Sequence, residues 1–155
     1  MDKLSKEHLI RMIPQTHPFR FIDEIIAVSD ESICGTYQFK KDEYFYQGHF
    51  PNNPVTPGAI LTEAMAQIGL LAFGIYLYER RGESIRQKED LTVFLASSET
   101  RFYKVVYPGE KILVSGEKVF FKHNVIKCKI TVTNRLEEVV CRGTLSGMFL
   151  LNSSK

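Results

Sequence analysis

Hydrophobic and polar positions along the chain fall into two regimes. Between residues 57 and about 78, Ile60, Leu61, Met65, Ile68, Leu71, Phe73, Ile75 and Leu77 leave almost no side of a helix polar. A helix that is apolar all round is buried rather than laid on a surface. Glu63 and Gln67 interrupt the run, and the clean apolar stretch falls short of the ~20 residues a bilayer requires. The pattern therefore predicts the central helix of a globular domain and no membrane span. From Leu91 onward the period changes to two. Ile126, Cys128, Ile130 and Val132 alternate with Lys127, Lys129, Thr131 and Thr133, one face buried and the other wet. Runs over Leu91–Phe102, Lys111–Lys122 and residues 138–151 predict further strands, joined by turns at Tyr107-Pro108-Gly109-Glu110 and His123-Asn124. In the last run Gly143 and Gly147 share a face and would let a helix or another backbone come close.

Ahead of the helix, residues 5–13 read as a short amphipathic helix capped by Ser5 and stopped by Pro14. Residues 19–28 and 33–40 read as strands, with Ile33, Tyr37 and Phe39 on one face of the second. After the central helix, Arg80, Arg81 and Gly82 are stop signals, and residues 83–90 are expected to form an unpatterned charged loop. Two strands before one long helix and about four after it predict an α+β domain with an antiparallel sheet on that helix.

At 155 residues, 44% hydrophobic and 25% charged, the chain (residues 1–155) is expected to be a single domain with one core. Twenty basic residues against 18 acidic give a net charge of +2, which makes no case for nucleic acid but suits an acidic protein partner. Cys34, Cys128 and Cys141 are too far apart for a metal motif, and three reduced thiols in the cytoplasm are expected. The first residues lack the apolar core of a signal peptide.

The chemistry concentrates just before and inside the helix. Gly48-His49-Phe50-Pro51-Asn52-Asn53-Pro54-Val55-Thr56-Pro57-Gly58 holds three prolines and two glycines in eleven residues, so it is a loop. Thr56 has the type of an N-cap, and Pro57 suits the first helical position. The helix then carries Glu63, with Gln67 one turn on, able to hold one carboxylate oxygen. His49 and Glu63, bracketing a proline-stiffened loop, have the character of a placed base and acid. Burial raises a carboxyl pKa and would keep such an acid protonated. Free N–H groups at the helix start, Gly58 foremost, could take up negative charge on a substrate oxygen.

Gly-His-Phe-Pro-x-x-Pro-x-x-Pro-Gly followed by Glu63-Ala64-Met65-Ala66-Gln67 resembles the 3-hydroxyacyl-[acyl carrier protein] dehydratases of the FabZ type, a hot-dog fold family. Ile13-Pro14-Gln15-Thr16-His17-Pro18-Phe19-Arg20-Phe21-Ile22-Asp23 upstream is similar to that family, as are Phe94-Leu95-Ala96 and Arg101-Phe102 through Pro108-Gly109-Glu110 downstream. The resemblance implies a sheet curled around the central helix. It also implies dehydration of 3-hydroxyacyl carrier-protein thioesters to trans-2-enoyl thioesters, in fatty acid or related polyene and polyketide assembly, with no cofactor and no metal. His49 would be the base, Glu63 the acid or the anchor of the leaving water, Gly58 N–H the carbonyl donor, and Gln67 a support. The resemblance further implies an acyl carrier protein partner, a homodimer sharing its site between protomers, and a trimer of dimers as a further step of assembly. It places Arg101 and Lys104 near the carrier-protein dock, with Arg80, Arg81 and Lys122 as further candidates. Asn52 and Thr62 depart from residues frequent in that family, which bears on rate and chain length.

Two other readings stay open on the residues alone: a hot-dog acyl-thioesterase, and a non-catalytic acyl-thioester binding module. Among the remaining histidines, His17 reads as structural, and His8 and His123 as exposed. Tyr44, Phe45, Tyr46 and Phe50 flank the loop and could gate an acyl tunnel or simply pack.

Overall fold

The computed structural model describes residue 2 and residues 4–152. A short helix α1 (Lys6–Arg11) leads into the hairpin β1 (Glu24–Val28) and β2 (Ser32–Gln38). The central helix then runs over Gly58–Arg80, as α2 (Gly58–Ala66), a π-helical turn (Gln67–Ala72) and α3 (Phe73–Arg80). Four strands follow: β3 (Leu91–Phe102), β4 (Lys111–Lys122), β5 (Val125–Thr133) and β6 (Val139–Leu151). All pairings are antiparallel, in the order β1-β2-β4-β5-β6-β3. This is the hot-dog arrangement, one sheet wrapped on one helix.

The helix is long and apolar enough to cross a bilayer, yet 78% of its most apolar window is buried inside the fold. Its burial against the sheet is what its all-round apolarity serves. The backbones come closest at the π-helical turn, where a Cβ on Gly69 would stand 2.5 Å from Ile130 Cδ1 and one on Gly116 would stand 3.2 Å from the Gly69 Cα. Only a residue without a side chain lets the helix lie this low on β4 and β5. At the strand end of the same layer, Gly143 faces the β3 backbone at Glu99 and Gly147 faces Phe94 O and Leu70.

β3 ends the sheet, so one of its edges is unpaired along twelve residues. Phe94, Leu95 and Phe102 are 52%, 45% and 48% exposed there, a long apolar edge of the kind that soluble proteins cover. At the chain start Ser5 Oγ accepts from His8 N at 3.2 Å, the expected cap of α1. His123 and Asn124 both take positive φ, as a two-residue hairpin turn requires.

Four expectations differ from the structure. Phe19 closes a turn and residues 20–23 are irregular loop, so strand geometry begins only at Glu24, because the main chain at Phe19 and Phe21 bonds the Gln67 side chain instead of a neighbouring strand. Pro57 is the N-cap, without a side-chain cap bond, while the Thr56 hydroxyl pairs with Tyr46 Oη at 2.7 Å. His8 is mostly covered, its Nε2 lying 3.9 Å from the buried carboxylate of Glu79 at the end of α3. Residues 83–90 are less featureless than their charge implies: Ile85 is buried and Lys88–Asp90 makes a 3-10 turn. The three cysteines are free thiols, and burial pushes both Cys128 and Cys141 up to about 12, which leaves them unreactive at neutral pH.

The close approach at Gly69 is testable. Gly69→Ala gains helix propensity but forces its methyl onto Ile130, and overpacking of this kind costs about 1–3 kcal/mol. Adding Ile130→Val removes the nearest atom, so the double variant should be more stable than additivity of the singles allows. Denaturant unfolding of the four proteins measures this, and strictly additive effects would contradict the packing.

Candidate active site

Tyr44–Gln47 forms a 3-10 turn that delivers the chain to His49. Tyr46 is buried there, and its hydroxyl bond to Thr56 closes the loop at its base. Burial pushes the Tyr46 phenol up to about 12, so it remains a neutral hydrogen-bonding group. His49 N donates to Phe45 O, and Val55 N donates to His49 O at 2.9 Å. Across the tip, Phe50 and Asn53 exchange main-chain bonds of 3.3 and 3.0 Å. The loop is thus cross-braced by its own backbone, with the Phe50 ring stacked on the imidazole at 4.2 Å.

His49 Nδ1 lies 2.9 Å from Val55 O. A carbonyl oxygen only accepts, so the neutral ring carries its proton on Nδ1 and leaves the lone pair on Nε2. That is the tautomer a base acting through Nε2 requires. Val55 supplies it through its main chain, and so no side-chain pattern marks the residue in the sequence.

Thr56 N donates to Val106 O at 2.8 Å, tying the loop to the segment that follows β3. Two residues on, Gly58 opens α2. Its N–H belongs to the first turn, which has no intrahelical acceptor. The Phe102 ring packs where a side chain on Gly58 would go, 3.1 Å from that Cβ position. The loop and the helix start therefore belong to the Phe102 end of β3.

Glu63 belongs to the other end. Its Oε1 accepts from Gln67 Nε2 at 2.9 Å, the i+4 bond expected from spacing. Gln67 is 1% exposed and does more than that: Nε2 also donates to Phe19 O at 2.9 Å, and Oε1 accepts from Phe21 N at 2.7 Å. Glu63 and Gln67 line a pocket of about 80 Å³ together with Gln15, Leu70, Val93, Phe94 and Leu95. The pocket opens beside the Leu91 end of the unpaired β3 edge. Among the described residues, no hydrogen bond or ion pair joins Glu63 to His49 within the chain, and the pocket wall does not include His49.

The two docking candidates part company. Lys104 Nζ is 2.6 Å from Glu138 Oε2, and that bond helps hold the Glu138 carboxyl below its usual range. Arg101 stands directly across from Arg142 in the β3–β6 register, and neither has an ion-pair partner among the described residues. Like charges facing each other on adjacent strands are unfavourable unless something anionic is near. Arg142 was invisible as a candidate in the sequence because only the strand pairing places it there. Arg80 pairs with Asp30, and Arg81 lies over the Phe121 ring, both at the opposite end of the central helix from Gly58.

The family model described as the FabA-like domain matches residues 13–142. This chain belongs to the FabA-like family. A 3-hydroxyacyl-[acyl-carrier-protein] dehydratase FabZ of Caldicellulosiruptor saccharolyticus is 35% identical over 138 residues, 88% of this chain and 92% of the relative. Another from Rhodospirillum rubrum is 34% identical over 92% of this chain and 85% of its own length. Among solved structures, the dehydratase heterocomplex ApeI:P of Xenorhabdus doucetiae superposes with TM-score 0.74 at 16% identity, over 94% of this chain and 91% of that one. A hypothetical thioesterase with coenzyme A from Streptococcus pneumoniae reaches 0.58 at 18% identity, over 84% and 88%. At such identities these two speak for the hot-dog fold alone. In this FabA-like chain the stretch matched by the family model holds His49, Gly58, Glu63, Gln67 and Arg101.

Gln67→Leu should strip partners from Phe19 O, Phe21 N and Glu63 at once. Each buried polar group left unpaired costs about 1–3 kcal/mol, so the variant should unfold at clearly lower denaturant. Hydrogen exchange at the Phe21 amide should accelerate ahead of the rest of the core. Unchanged stability and protection would contradict the hub role.

Proposed function

We propose that the chain dehydrates 3-hydroxyacyl-[acyl carrier protein] thioesters to trans-2-enoyl thioesters, as a single cytoplasmic hot-dog domain acting as a homodimer. The observation that carries the chemistry is the bond from His49 Nδ1 to Val55 O, which leaves Nε2 free as a base. Nε2 takes a proton from the α carbon. Negative charge builds on the thioester oxygen, where the Gly58 N–H and the positive end of the helix dipole meet it. Glu63 delivers a proton to the 3-hydroxyl, water leaves, and the double bond forms between the α and β carbons. Gln67 fixes the carboxyl that does this. No cofactor or metal enters these steps.

The exposed edge of β3 supports the dimer. Antiparallel pairing of β3 with its copy would cover the exposed Phe94, Leu95 and Phe102. It would also set the Phe102 end of one strand against the Leu91 end of the other. His49 and Gly58 lie by the first and the Glu63 pocket by the second. A site built from His49 and Gly58 of one protomer and Glu63 of the other is what this topology favours. Assembly of three such dimers into a hexamer is a further proposal.

His49→Ala should lower turnover by about 10²–10⁴-fold with little loss of stability, since the residue sits on a loop. The assay should follow 2-enoyl product and free thiol together. Enoyl formation that vanishes with His49, with no thiol released by the parent enzyme, supports a dehydratase. Release of free thiol as the main product would make the chain a thioesterase, and normal binding without turnover would make it a binding module.

For the carrier-protein dock we propose Arg101 as the main cation, Lys104 contributing less because Glu138 already holds it. Reversing Arg101 to glutamate should raise KM for carrier-protein substrates, most at low salt, because steering charges act on association and are screened. A small neutral thioester should be turned over as before. Equal damage to both substrates would place Arg101 in the fold or the catalytic site instead.

A further inference from the structure

One polar atom beside Glu63 has no work within the chain. Gln15 Oε1 is buried and without a hydrogen-bond partner, and the Gln15 side chain lines the same pocket of about 80 Å³ as Glu63 and Gln67. Its main chain is held firmly. Arg20 Nε donates to Gln15 O at 2.9 Å, while Nη2 donates to Ile10 O and Ile13 O at 3.0 and 2.9 Å. Burial lowers the Arg20 pKa, and because a guanidinium in a protein is always charged the clip persists. A side chain on so fixed a backbone, with its oxygen shut away from water and unpaired, costs about 1–3 kcal/mol unless a ligand supplies the donor.

Its neighbours cannot supply it. The Gln67 amide is fully engaged with Phe19, Phe21 and Glu63. The rest of the pocket wall (Ala66, Leu70, Leu71, Val93, Phe94 and Leu95 among it) offers no side-chain donor apart from the proton that Glu63 gives to the substrate. An amide oxygen only accepts, so the missing partner is an O–H or N–H carried by whatever occupies the pocket.

We propose that Gln15 is a specificity-determining residue, its Oε1 accepting a hydrogen bond from the 3-hydroxyl of the bound acyl group. The inference rests on the dehydratase reading and refines it. With its hydrogen given to Gln15, the hydroxyl turns a lone pair toward Glu63, which protonates that oxygen as the carbon–oxygen bond breaks. A saturated acyl chain has no donor at that carbon and leaves Gln15 unpaired. The pocket thereby prefers 3-hydroxyacyl groups over saturated ones before any chemistry occurs. Sites that hydrogen-bond a substrate hydroxyl reject analogues lacking it for this reason.

The test uses His49→Ala protein, in which turnover is stopped while the pocket is intact. Affinities are measured for a 3-hydroxyacyl and a saturated acyl thioester of equal chain length, with and without Gln15→Met. With Gln15 present the hydroxyacyl ligand should bind about 3–10-fold more tightly than the saturated one. With Gln15→Met that preference should fall to about one, the saturated ligand binding as well as before or better. Thermal stability should hold or rise, since an unpaired buried oxygen has been removed. No preference in the first protein, a preference kept in the second, equal loss for both ligands, or a variant that fails to fold would each overturn the role. Continued enoyl formation by His49→Ala would instead count against His49 as the base, and release of free thiol by the parent enzyme against the dehydratase reading.

Discussion

The amide of Gln67 is the interaction on which the rest of the site depends. It is almost wholly buried, and its two ends bond Phe19 O, Phe21 N and Glu63 Oε1. Remove it and a loop main chain loses the partners a strand would otherwise have supplied. The carboxylate loses its fixed rotamer in the same stroke. An ionisable group in an apolar helix is tolerated when partnered, and here the partner also anchors the segment carrying Gln15 and Arg20. The π-helical turn begins at Gln67 itself, so the helix departs from regular geometry just where it carries this load.

A second constraint is the unpaired edge of β3. The same strand supports the Gly58 end of the helix through Phe102 and the Glu63 pocket through Val93, Phe94 and Leu95. Among the described residues, no hydrogen bond or ion pair joins His49 to Glu63 within one chain. The proposed pairing of two copies would answer both the apolar edge and the divided chemistry. The Tyr46–Thr56 bond and the Val55 carbonyl then see to it that the half bearing His49 arrives in a single geometry.

Much of this was legible because the signals were periodic or strictly local. The all-round apolar run announced the central helix, and the strict alternation around Ile126 to Val132 announced β5 with its buried face. Glu63 and Gln67 were readable as a pair because helical spacing alone sets their contact. Long-range hydrogen bonds were not readable. Thr56 has the composition of a cap, but its hydroxyl is claimed by Tyr46 ten residues back. The aromatic run at residues 19–23 has strand composition, but its backbone is claimed by a side chain 46 and 48 residues away. His8 looked exposed because only the packing of α1 on the end of α3 covers it. Gln15 and Arg142 carried no pattern at all; one is marked by a missing partner, the other by strand register.

The central claim, a site divided between two protomers along β3, is tested most directly by mixing two inactive proteins. His49→Ala and Glu63→Gln each disable one half of the proposed site. After subunit exchange, a heterodimer would carry one fully intact site and one doubly damaged one. An equimolar mixture should then recover about a quarter of the parent activity, since half the dimers are mixed and each has one working site. Verified exchange with no recovery would contradict the account and require His49 and Glu63 to meet within a single chain.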